Sequence, residues 1–83
     1  MKVELNEIYL MATSESAAIV RPISIDEEYS ERAYNCEMLW LKVGERIASI
    51  VPDLGSTIPI YEQLITRPAT EEEKKLFLLK KVK

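Results

Sequence analysis

Between Asp26 and Val51, apolar residues recur at Tyr29, Ala33, Cys36, Trp40, Val43, Ile47 and Val51, in steps of three and four that match the turn of an α-helix. At about 100° per residue these positions share one sector of roughly 80°, with Leu39 and Ile50 beside it. A second apolar group, Tyr34, Met38 and Leu41 with Ala48 nearby, lies about 140° away on the same helical projection. Only a minority strip is polar: Glu28, Glu31, Asn35, Lys42, Arg46 and Ser49. A helix covered on one side is polar over most of its circumference, so this segment carries an excess of hydrophobic surface. Asp26 suits an N-cap, Glu27 and Glu28 suit a first turn, and Pro52 stops the helix. About 25 helical residues span roughly 37 Å, more than the ~30 Å diameter of a domain of this length. Gly44 is the weak point of the helix. The competing pattern is a strand pair over Met38 to Val51 that turns at Val43-Gly44-Glu45.

The flanking segments carry other signals. Ala17 to Ile25 is rich in β-branched residues and contains Pro22, which fits an edge strand. Val3 to Met11 is its expected antiparallel partner, with Thr13-Ser14-Glu15-Ser16 as the polar connection. A helix from Leu5 to Val20 also fits the spacing, but Thr13, Ser14 and Ser16 compete for backbone hydrogen bonds in a helix interior. After the Leu54-Gly55-Ser56 turn, Pro59 suits the start of a short helix with Ile58, Tyr61, Leu64 and Ile65 on one face, ended by Arg67-Pro68. Thr70-Glu71-Glu72-Glu73 reads as a capping box, and acids followed by lysines along residues 71–83 match a helix dipole. The expected architecture is α+β over a single small domain, 1–83: an N-terminal β-hairpin packed on a long central helix, with two short C-terminal helices. The alternative is a small all-α bundle.

Composition narrows the chemistry. The chain has 83 residues, no histidine and one cysteine, Cys36. Histidine-based nucleophile systems are therefore excluded, as are zinc sites of the usual Cys and His spacing. With only Gly44 and Gly55, no glycine-rich phosphate loop can form. Cys36 sits on the apolar stripe beside Glu37 and is expected to be an unreactive buried thiol. The acidic groups Glu27-Glu28-Glu31 and Glu71-Glu72-Glu73 could hold a cation, although acids in first turns are favoured for ordinary reasons. A net charge of −3 disfavours binding of nucleic acid or anionic membrane by the whole surface. No apolar run approaches the roughly 18 residues of a membrane span, and no leader segment is evident at the N-terminus.

The functional expectation is a non-enzymatic protein-interaction module without cofactor or metal. It would be a small cytoplasmic regulator or inhibitor, of the kind that phages and other mobile elements encode, bound to a partner protein or to a second copy as a homodimer. The expected contact face is Tyr34, Met38 and Leu41. The alternative is a small nucleic-acid-binding protein using the C-terminal helices and the lysines of residues 74–83.

Overall fold

A computed structural model describes residues 2–43, 46–47 and 52–81. The strands are β1 (Tyr9–Ala12), β2 (Ser16–Asp26), β3 (Ala33–Val43), β4 (Arg46–Ile47), β5 (Pro52–Tyr61) and β6 (Ile65–Pro68). Among the described residues a 3-10 turn, Glu62–Leu64, joins β5 to β6, and one helix, α1 (Glu71–Lys81), follows. All strand pairs are antiparallel. The order is β4-β3-β2-β1-β6, with β5 also paired to β3. A strand has two edges, so β4 and β5 share the edge of β3 that β2 leaves open.

Among the described residues the long central helix expected from Asp26 to Val51 is not formed; residues 44, 45 and 48–51 of that segment lie outside them. Residues 33–43 are an interior strand of a sheet, and the described residues form no all-α bundle either. The physical reason is the excess hydrophobic surface itself. Tyr34, Cys36 and Met38, with Trp40 packed against them, face one core; Leu39 and the partly buried Leu41 face another. A strand covered on both faces is apolar almost throughout and loses its alternation. The two apolar groups of the helical projection are not two faces of the strand: Tyr34 and Met38 of the second group share one face with Cys36 and Trp40 of the first, and Leu41 lies on the other. A helix of roughly 37 Å would also have overhung a molecule whose longest extent is 32 Å.

The other departures are local. Asp26 does cap backbone, but of a turn: its Oδ1 accepts the Glu28 N–H at 3.0 Å. Pro59 lies within β5 rather than in a short helix. The strand reading of the 38–51 region comes closest, since Val43 pairs with Arg46 and Lys42 with Ile47; Gly44 itself lies outside the described residues. The N-terminal hairpin forms across Thr13–Ser16, with Ala12 opposite Ala17 and Tyr9 opposite Val20. Thr13 N–H donates to the Ser16 carbonyl at 2.8 Å, and Thr13 Oγ1 accepts the Ser16 N–H at 2.9 Å.

Connectivity forces the sheet to curl. From Tyr61 at the end of β5 to Ile65 at the start of β6 the chain can reach about 14 Å. In a flat sheet the four strand spacings from β5 to β6 would separate those edges by about 19 Å. The curl encloses the first core, to which five strands contribute: Tyr9 and Met11, Ala18 and Val20, Tyr34 with Cys36 and Met38, Ile60, and Ile65. Pro22, buried in β2, sits where the register with β3 shifts, the kind of position that tolerates a missing N–H. On the outer face, α1 lays Phe77 over Ile8, Ile19, Leu39 and Ala69.

Candidate functional site

The loop between β2 and β3, residues 27–32, and the 3-10 turn meet at one end of the curled sheet. The meeting is pinned twice. Glu62 N–H donates to the Arg32 carbonyl at 2.9 Å, and Tyr34 Oη donates to Glu62 Oε2 at 2.6 Å, a short charge-assisted bond. Burial pushes the Tyr34 hydroxyl above its ordinary value; the bond to Glu62 adds to this and Arg32 opposes it. The phenol therefore stays protonated through the neutral range and keeps donating.

On this frame Tyr29 from the loop and Tyr61 from the end of β5 meet edge to face, with ring centroids 5.5 Å apart and planes at 81°. Both remain substantially exposed, at 40% and 37%. With Ala33 and Pro59 they line an open notch of about 80 Å³. Beside it is a shallower hollow of about 190 Å³ lined by Glu31, Arg32, Glu62 and Gln63. The two features border each other along Arg32-Ala33 and Tyr61-Glu62. Residues 26–32 with Glu62 carry five carboxylates and one guanidinium, so the aromatic notch sits in an acidic rim.

The residues singled out from the helical projection lie elsewhere. Tyr34 and Met38 come together, but inside the curl, at 3% and 1% exposure. Leu41 belongs to the opposite face, against the outer core. Alternation along β3 separates it from the other two, so the three do not form one surface. Cys36 is fully buried, and burial pushes its thiol up to about 12; a thiol in that state is a poor nucleophile. Among the described residues no group of three or more His, Cys, Asp or Glu side chains is placed to hold a metal ion. No helix among them is long and apolar enough to cross a membrane. On α1, Lys74 Nζ lies 3.6 Å from Glu71.

Tyr29 and Tyr61 escaped the sequence reading because each was assigned to the apolar face of a helix. Tyr29 did carry a signal: it is the one aromatic in the polar run Asp26-Glu27-Glu28-Tyr29-Ser30-Glu31-Arg32. An aromatic ring among charged loop residues has no core to enter. Tyr61 carried none, because its partner comes from a distant part of the chain.

No family model matches the chain, and no match was found among curated proteins or solved structures.

Proposed function

We propose that this chain is a non-enzymatic protein-interaction module, a small cytoplasmic regulator or inhibitor that occupies a partner's surface through the end formed by residues 26–32 and the 3-10 turn. The observation that carries this is the exposed Tyr29–Tyr61 pair held over a notch. Tyrosine supplies large contact area at small conformational cost and is enriched at interfaces and their hot spots. Here the backbone beside both rings is pinned between Arg32 and Glu62, and the rings rest on each other, which lowers the ordering lost on binding. The notch and hollow are open and shallow, which suits a protein surface better than the enveloping pocket of a small molecule.

The test is affinity capture from the native host with wild type and with the Tyr29→Ser, Tyr61→Ser double variant. A control variant, Leu79→Ser, alters an exposed residue of α1. The expected outcome is a partner retained by wild type and by the control and lost by the double variant, whose fold is checked by circular dichroism. A partner held equally by all three removes the proposal.

A further inference from the structure

We propose that the Tyr29–Tyr61 notch accepts an arginine side chain of the partner protein. This rests on the reading of that end as an interaction surface and adds the chemistry of what enters it. Two features of the site point to a cation, and a third limits its size. The notch is lined by Tyr29 and Tyr61 with Pro59 and Ala33; the rings meet edge to face, and the open face of a phenol ring attracts a positive charge within about 6 Å of its centroid. The rim is acidic: Glu27, Glu28 and Glu31 are exposed, and Glu31 lines the adjoining hollow. The volume, about 80 Å³ and open to solvent, suits the end of one side chain rather than a folded element.

Arginine suits this arrangement better than lysine. Its planar guanidinium stacks on an aromatic face while its N–H fork remains available to a carboxylate. A lysine ammonium is a strongly hydrated point charge and gives up more hydration to enter. The protein's own Arg32 does not fill the role, because it faces the Tyr34 hydroxyl and lines the hollow rather than the notch. The Glu62 carboxylate is engaged by Tyr34, which leaves Glu31, the other acid lining the adjoining hollow, to meet an incoming guanidinium.

The experiment is a 1H–15N NMR titration of the whole chain with three capped peptides, Gly-Ser-Arg-Ser-Gly and its norleucine and proline counterparts. The arginine peptide is expected to shift the amides of Tyr29, Glu31, Ala33 and Tyr61 in a dose-dependent way. Norleucine and proline are expected to shift them several-fold less at equal concentration. Tyr61→Leu should weaken the arginine peptide roughly threefold to fivefold, the scale of an exposed cation–π contact. Glu31→Gln should weaken it about twofold to threefold, an effect that fades with added salt. The proposal is overturned if arginine produces no shifts at these amides. It is equally overturned if norleucine or proline shifts them as strongly, which would make the notch an apolar or proline-binding surface. Either result leaves the interaction-surface reading standing as long as the Tyr29→Ser, Tyr61→Ser variant still loses its captured partner, so the two failures are separable.

Discussion

Asn6 shows how one residue sets the route of the N-terminal segment. Its φ of 70° places it in the left-handed region, which asparagine tolerates and β-branched residues do not. It is the third residue of the Glu4–Glu7 turn, closed by Glu7 N–H to the Glu4 carbonyl at 3.4 Å. Its own N–H donates to the Pro22 carbonyl at 2.7 Å, tying the segment to β2 where the register shifts. The segment then delivers Val3 and Ile8 to different cores. Asn6→Gly should be nearly neutral, whereas Asn6→Val should lose about 1–2 kcal/mol. Urea denaturation of the two variants checks this; equal stability of both would mean that the turn does not constrain the fold.

At the scale of elements, the start of α1 is the best-secured junction. Thr70 Oγ1 accepts the Glu73 N–H at 3.2 Å, and Glu73 Oε1 accepts the Thr70 N–H at 2.8 Å. Arg67 of β6 also grips both oxygens of Glu73, at 2.8 and 3.1 Å. The Arg67 guanidinium and these N–H donors hold the Glu73 carboxyl at about 2, below the unfolded value of about 4.3. A carboxyl depressed on folding stabilises the fold above its unfolded pKa, and that contribution is lost as pH falls through its folded pKa. Wild type should therefore melt at a higher temperature than Glu73→Ala above about pH 5, and the gap should close as pH falls toward about 2. A gap of constant size would show that the ionised carboxylate is not what secures the helix.

This junction was legible in the sequence because every signal for it is local: Thr70, Glu73 and the lysines that follow. The hairpin across Thr13–Ser16 was legible for the same reason. The strand at residues 33–43 was not. Tyr34, Cys36 and Met38 on one face and Leu39 and Leu41 on the other satisfy a helical projection as well as a strand buried on both sides. Which period holds depends on whether β2 and β5 arrive to pair with it, and that is tertiary information. The site was lost with the strand. Tyr29 and Tyr61 meet only because β3 and β5 pair so that Ala33 lies opposite Tyr61.

For the whole molecule, the two cores divide the labour. The inner core and α1 close the two faces of the sheet, and Arg21 and Glu37, 3.1 Å apart on neighbouring strands, are taken into the outer face. One end then presents an aromatic pair with an acidic rim, on a frame locked by Glu62, Tyr34 and Arg32. The account assigns contact with a partner to that end and not to the exposed leucines of α1, Leu78 and Leu79. The most direct test is photo-crosslinking in the native host with p-benzoylphenylalanine placed singly at position 61 and at position 79. The account predicts a discrete crosslinked partner from position 61 and none from position 79. A partner captured only from position 79, or equally from both, would contradict it.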